Sequence, residues 1–332
     1  MSSATSSPKG VLLTGEPMGL LIAEEAGQLE DVDDYKMSIA GAEYNVAVGL
    51  SRLGVDVSYL TKLGTDSVGR RIVRGLRSEG ISTTDLVWSD SESTAIMFKG
   101  YNPAGDPPIE YFRRNSAAST LSPDDLPDID WSRFKFLHLT GIMPALSGET
   151  WNMCQTLVDL ARTHERTVTF DPNLRPQLWA DTDDMVRHVN ELALRADIVL
   201  PGLSEGRLLT DQERPEDICR WYRERGVPAV IVKAGETGAY FESGDDAGWI
   251  PGYSIDHVVD TVGAGDGFAA GVLSGLGDGL DFRSAIDRGN AIGAIQVQSR
   301  GDNEGLPSRE ELASYMETHA SSRGPVRIQE SA

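Results

Sequence analysis

The chain has 332 residues, 40% of them apolar and 24% charged, and its 51 acidic against 30 basic side chains leave a net charge of −21. That length supports a large buried core without disulfides or a structural metal, and the charge argues against nucleic acid or an anionic membrane as partner. Cys154 and Cys219 lack metal-ligand spacing, which excludes a zinc finger and a disulfide scaffold, and each reads as a small apolar filler.

The opening MSSATSSPKG has no apolar segment of signal-peptide type, and no window holds 18 uninterrupted apolar residues, so a cytoplasmic, non-membrane protein is expected. Residues 1–9 and 321–332 read as flexible tails around a single α/β domain over 10–320. Within it, short apolar runs ending in Gly, Pro or Asn alternate with segments of helical period.

VLLTG (11–15) is the first expected strand. Val46, Leu50 and Leu53 then mark a helix face, VSYLTKLG (57–64) a second strand, and Val68, Ile72 and Leu76 another helix. FKFLHLTG (134–141), TVTFDPN (167–173), ADIVLPG (196–202) and PAVIVKAG (228–235) continue the strand series, with helices expected near 150–162, 183–195, 214–224 and 265–298. This alternation predicts a mostly parallel central sheet with helices on both faces, and ligands at the carboxyl ends of its strands.

Two segments break the rhythm, at about 17–40 and 92–115. Their alternating, aromatic-rich runs resemble antiparallel strands, with a turn at Asn102 to Pro108, and predict a small β-sheet lid built from insertions.

The strongest chemical signal is DTVGAGDGFAAG, Asp260 to Gly271, opening a small-residue helical stretch. Gly263, Ala264 and Gly265 lack bulky side chains, so main-chain N–H groups can close on an anion at a helix N-terminus. Asp266 stands at its mouth. A carboxylate beside an anion-binding helix end suits phosphoryl transfer to an alcohol, although a glycine-rich turn followed by Asp also makes an ordinary helix cap.

The whole string resembles the second signature of the ribokinase-like (PfkB) carbohydrate kinases, and AGAEYNVAVGLSRLG (Ala40 to Gly54) resembles their first. Between them, GTDSVGRRIVRGLRSEGI (Gly64 to Ile81) is similar to the family's GxDxxG segment. It lacks the Lys and Ser/Thr of a P-loop, and Arg70, Arg71, Arg74 and Arg77 read as a solvated helix face. The resemblance implies the ribokinase-like fold, with ATP and Mg2+ as cofactors.

Within the family, GEPM (15–18), GAEYN (41–45), YFRRNSAAS (111–119), HLTGIMPALS (138–147), DPNLRPQLW (171–179) and GDNEGLP (301–307) are together similar to the branch acting on 2-keto-3-deoxygluconate. Glu16 stands where members that bind neutral sugars usually carry Asp. By this resemblance Gly41, Ala42, Asn45, Tyr111, Arg113, Ile142, Arg175 and Asp302 line a sugar-acid site. Arg113 and Arg175 suit a substrate carboxylate on physical grounds too. Met97 replaces a frequent Tyr on the first lid strand, and Ala40 replaces the first Gly of the usual Gly-Gly hinge, leaving Gly41 to supply it.

VKAGETGAYF (232–241) resembles the strand-loop-strand that borders the nucleotide, with Lys233, Gly235 and Gly238 nearest, Asn173 close by and Ser204 on the other wall. Glu205 corresponds to the Glu of the family's NxxE motif, close to magnesium-bound water, but Gly202 replaces the Asn. His138, His164, His188 and His257 have no ligand spacing, and Trp151 and Trp179 read as packing residues.

The expected activity is transfer of the ATP γ-phosphate to the terminal hydroxyl of 2-keto-3-deoxygluconate, with Asp266 as general base, Gly263, Ala264 and Gly265 as anion hole, and a homodimer formed through the lid. The alternatives are a kinase for the galacto epimer, one for a neutral ketose such as fructose, and a non-enzymatic sugar sensor.

Overall fold

The computed structural model describes residues 8–101 and 107–320; most of the expected N-terminal tail, the expected C-terminal tail and most of the expected lid turn lie outside them. In chain order the strands are β1 (Gly10–Thr14), β2 (Met18–Ala23), β3 (Tyr35–Ala40), β4 (Val57–Leu60), β5 (Lys62–Gly64), β6 (Val87–Ser89), β7 (Ile96–Lys99), β8 (Ile109–Phe112), β9 (Phe134–Thr140), β10 (Thr167–Asp171), β11 (Ile198–Val199), β12 (Ala229–Lys233), β13 (Gly238–Ser243) and β14 (Asp246–Pro251). The helices are α1 (Ala42–Arg52), α2 (Ser67–Ser78), α3 (Gly148–Thr163), α4 (Thr182–Ala193), α5 (Leu203–Thr210), α6 (Pro215–Arg223), α7 (Ala264–Gly277), α8 (Phe282–Gln296) and α9 (Arg309–Thr318).

Eight strands form the central sheet in the order β14-β13-β12-β11-β10-β9-β1-β4. The run from β12 to β4 is parallel, and β13 and β14 add an antiparallel hairpin at one edge. Alternation sends Val11 and Leu13 to one face and Leu12 to the other, so each strand feeds two cores. On one face the sheet packs against α1, α2, α7 and α8; on the other it packs against α3, α4 and α6. Cys154 and Cys219 are buried free thiols in the second core, as fillers should be.

The two insertions form a separate four-stranded sheet, β3-β2-β7-β8. Its central pair corrects an expectation: β2 and β7 run parallel, while β2–β3 and β7–β8 are antiparallel. The chain between β2 and β7 passes through α1, β4 and α2, a connection long enough for the crossover that parallel strands need.

The helical stretch expected at 265–298 is two helices, α7 and α8. Gly279 turns the chain with φ +86°, and the Asp281 carboxylate caps α8 by accepting from the Ser284 N–H at 2.7 Å. The run at 57–64 likewise splits into β4 and β5 at Thr61, whose hydroxyl donates to the Gly15 carbonyl at 2.7 Å.

Candidate active site

A cavity of about 490 Å³ opens at the carboxyl ends of β1, β9, β10 and β12, roofed by the lid. Asp266, in the first turn of α7, is at its floor. Asn45 Nδ2 donates to one carboxylate oxygen at 2.8 Å and Asn173 Nδ2 to the other at 3.3 Å. Burial pushes the Asp266 carboxyl up to about 7; the Asn45 bond opposes the shift, nearby Asp171 adds to it, and Lys233 and Arg175 oppose it. A carboxyl with that affinity can take a proton from an alcohol near neutral pH and must be ionised to do so. The expected kcat/KM for the sugar substrate therefore rises with pH through an acid limb centred at about 7. A pH series that stayed flat down to about 5, where this group would be protonated, would remove it as the base.

Gly263 is the N-cap of α7 with φ +79°, and a Cβ there would lie 2.1 Å from the Asp302 carbonyl oxygen, so only glycine fits. Gly263 and Gly265 line the cavity; Ala264 does not, and its N–H points back to the Thr261 carbonyl at 3.4 Å. Of the expected anion hole, that turns the Ala264 N–H aside and leaves Gly263 and Gly265 on the cavity wall, beside the first-turn N–H groups of α7 that the helix itself leaves without intrahelical acceptors.

All eight residues expected around the sugar line this one cavity: Gly41, Ala42, Asn45, Tyr111, Arg113, Ile142, Arg175 and Asp302. Gly41 has φ +143° and links β3 to α1, while Ala40 is ordinary buried strand. Met97 is paired with Tyr111 across β7–β8, so on this part of the wall Tyr111 brings the hydroxyl. The two arginines differ. Arg113 Nη2 lies 2.5 Å from Glu16 Oε2 in a buried ion pair, and Glu16 also accepts from the Ser116 hydroxyl. Arg175 Nη1 donates to the carbonyls of Leu174 and Asn173 at 2.9 and 3.3 Å and, among the described residues, meets no carboxylate at ion-pair distance.

Of the residues expected at the nucleotide, Asn173 and Lys233 line the cavity, and Ser204, Gly235 and Gly238 lie outside its lining. Ser204 is exposed on α5, Gly235 is exposed in the turn after β12, and Gly238 is buried against the Ile250 carbonyl with φ +104°. Lys233 Nζ pairs with Asp171 Oδ2 at 2.5 Å; burial works against its charge, and Asp171 and Glu205 more than offset that.

Glu205 also lines the cavity, but both of its oxygens are engaged. Oε2 accepts from the Gly202 N–H at 2.7 Å and Oε1 from the Leu174 N–H at 2.8 Å, so it caps α5 and holds the loop that carries Arg175. Sequence reasoning missed Asp171 and Lys99 as cavity residues. Asp171 could have been found as the acid ending a buried strand, and Lys99 by counting two residues on from Met97.

His138 is buried, bonded to the Thr169 hydroxyl at 2.9 Å and held neutral by desolvation, which lowers its pKa to about 3; no catalytic role follows. Trp151 and Trp179 pack around His188. Among the described residues no cluster of three His, Cys, Asp or Glu could hold a metal directly, and no helix is long and apolar enough to cross a membrane.

Residues 9–309 match the pfkB family carbohydrate kinases. The chain is 45% identical over 303 residues to 2-dehydro-3-deoxygluconokinase of Bacillus subtilis (strain 168), covering 91% of this chain and 94% of that one. Against fructokinase of Escherichia coli it is 33% identical over 287 residues, covering 82% and 90%. It superposes on a putative ribokinase II of E. coli in complex with ATP and Mg2+ with a TM-score of 0.86 at 25% identity, covering 93% of this chain and 99% of that one. With a buried carboxylate at a glycine-capped helix end, a cavity under a β lid and this likeness along nearly all its length, the chain belongs to the pfkB family of carbohydrate kinases.

Proposed function

We propose that this kinase transfers the γ-phosphoryl group of ATP to the terminal hydroxyl of 2-keto-3-deoxygluconate, giving the 6-phospho product. The observation that carries the substrate class is Arg175, a cavity guanidinium that, among the described residues, meets no carboxylate at ion-pair distance. Asp266 accepts the proton of the attacking hydroxyl, the N–H groups of Gly263, Gly265 and Asp266 face the developing charge, and the lid keeps out water that would compete for the phosphoryl group. The 45% identity to a 2-dehydro-3-deoxygluconokinase supports the same substrate.

Magnesium would neutralise phosphate charge and align the transfer. Among the described residues, Asp171 Oδ1 is buried without a hydrogen-bond partner in the cavity wall, which Glu205 also lines with both oxygens already accepting. That donor set fits a hydrated ion held through water better than direct ligation.

A neutral ketose is the second reading. Because Glu16 already neutralises Arg113, grip on a carboxylate rests on one arginine, and the likeness to fructokinase points the same way. A coupled ATP-consumption assay across the gluco and galacto keto-deoxy acids, fructose and ribose decides: the keto acids should lead in kcat/KM, and a lead for fructose or ribose would overturn the carboxylate reading. No turnover with any of them would favour a sensor. A homodimer through the lid would cover Ile109 and Phe112, exposed apolar residues on the edge strand β8; sedimentation of the protein tests it.

A further inference from the structure

We infer that Lys99 is a positioning residue that ties the lid to the anion-binding end of α7, holding Asp260 and Asp302 so that the loop between Asp260 and Gly263 keeps its shape for the transferred phosphate. The inference rests on the phosphotransfer reading above. Lys99 ends β7, an inner lid strand, and alternation puts it on the cavity side with Met97. Its Nζ lies 3.2 Å from Asp260 Oδ2 and 3.3 Å from Asp302 Oδ1. Among the described residues, no other ion pair joins a lid strand to the α/β body.

Both acids are built into the rim of the anion site. Asp260 Oδ1 accepts from the Val262 N–H at 3.0 Å, and the Asp302 carbonyl oxygen packs against Gly263 where no Cβ could stand. Gln296 Nε2 donates to the carbonyls of Val262 and Gly301 at 3.3 and 2.8 Å, so the two loops are held as one unit. Burial works against the charge of Lys99, and Asp302 and Asp260 more than offset that, so it stays an ammonium. Without it, two carboxylates would face each other beside a site that must receive a triphosphate. Their repulsion would spread the loops and oppose the ligand together.

The test is nucleotide affinity, titrated at equilibrium with Mg2+ and a non-hydrolysable ATP analogue in the absence of sugar, alongside kinetics. Lys99→Met should weaken nucleotide binding about tenfold or more, and Lys99→Arg should recover it to within about threefold. In an Asp260→Asn background, the same Lys99→Met change should cost much less, because the repulsion it releases is already reduced. An affinity for Lys99→Met within about twofold of wild type, or a full loss that persists unchanged in Asp260→Asn, would overturn the inference; the latter outcome would make Lys99 a direct phosphate ligand. Should Lys99→Met fail to fold, Lys99→Gln serves in the same cycle. Because the titration contains no sugar, its outcome is independent of which substrate the wild type phosphorylates. A wild type inactive on every keto acid would sink the proposed function and leave this test standing.

Discussion

Asp266→Asn should lower kcat by roughly 10²–10⁴, since the amide keeps the size of the side chain but cannot take a proton. Binding of the sugar should change little, and a variant keeping more than about a tenth of wild-type kcat would exclude Asp266 as the base. The same substitution should change stability in the opposite sense. In the folded protein the carboxyl is raised from 3.8 to about 7, so it is stable as the acid and costly as the anion. Below the unfolded value both states hold the proton and no penalty applies. As pH climbs from the unfolded value to the folded one, wild type loses about 4 kcal/mol that Asn does not, at about 1.36 kcal/mol per pKa unit. Against this, Asn45 and Asn173 both present N–H donors, and an amide can accept from only one of them. Asn45 is fixed, because its Oδ1 accepts from Asn303 at 3.0 Å, so the longer Asn173 bond gives way at a cost of about 1 kcal/mol. The net expectation is a variant that melts higher than wild type at neutral pH, by a margin that widens between about pH 4 and pH 7 and levels off above. A margin that stayed constant would mean that Asp266 does not titrate in this window.

How far the site could be read in the sequence depends on how local each contact is. Asp266 and its glycine cap lie in one short string whose residue types state their own chemistry, so a carboxylate at a glycine-capped helix end was legible without a fold. The strands were legible too, because burial on both faces of a parallel sheet imposes continuous apolar runs. The ion pairs of Lys99 were not, because its partners lie 161 and 203 residues away and nothing near it signals a charge pair. Arg113 was read as a ligand for a carboxylate for the same reason in reverse: its neutralising partner, Glu16, lies far away in sequence, in the connection between β1 and β2. Short or charged elements also escaped. α5 follows closely on β11, and α9 has one fully buried residue, Leu312, so neither shows a strong apolar period.

Glu205 illustrates a subtler limit. Its position in the motif was legible, but its bonds to the Gly202 and Leu174 N–H groups were not, and they make it a support of the Arg175 loop first. Without an Asn at 202, the helix start depends on that carboxylate, which ties the α5 cap to the substrate side of the cavity.

Arg175→Ala should raise KM for the keto acid about ten- to a hundredfold while leaving KM for ATP nearly constant. The contact it removes is charge-assisted, worth about 1.5–3 kcal/mol. Most of the loss should appear in ground-state binding, because the carboxylate of the substrate lies at the opposite end of the carbon chain from the reacting hydroxyl and its charge does not change during transfer. Two side effects can be separated from this. Arg175 helps to pull the Asp266 carboxyl down, so its removal should move the acid limb of the pH profile upward, and the comparison belongs on the alkaline plateau. Arg175 also donates to the Leu174 and Asn173 carbonyls, and Asn173 donates to Asp266, so loosening that loop could lower kcat by itself. Arg175→Gln discriminates: it can still donate to the loop but carries no charge. If it shares the KM defect of Arg175→Ala with kcat preserved, the guanidinium charge holds the sugar acid. If KM for ATP rises instead, Arg175 belongs to the nucleotide side, and Arg113, already paired with Glu16, would be left as the candidate for the carboxylate.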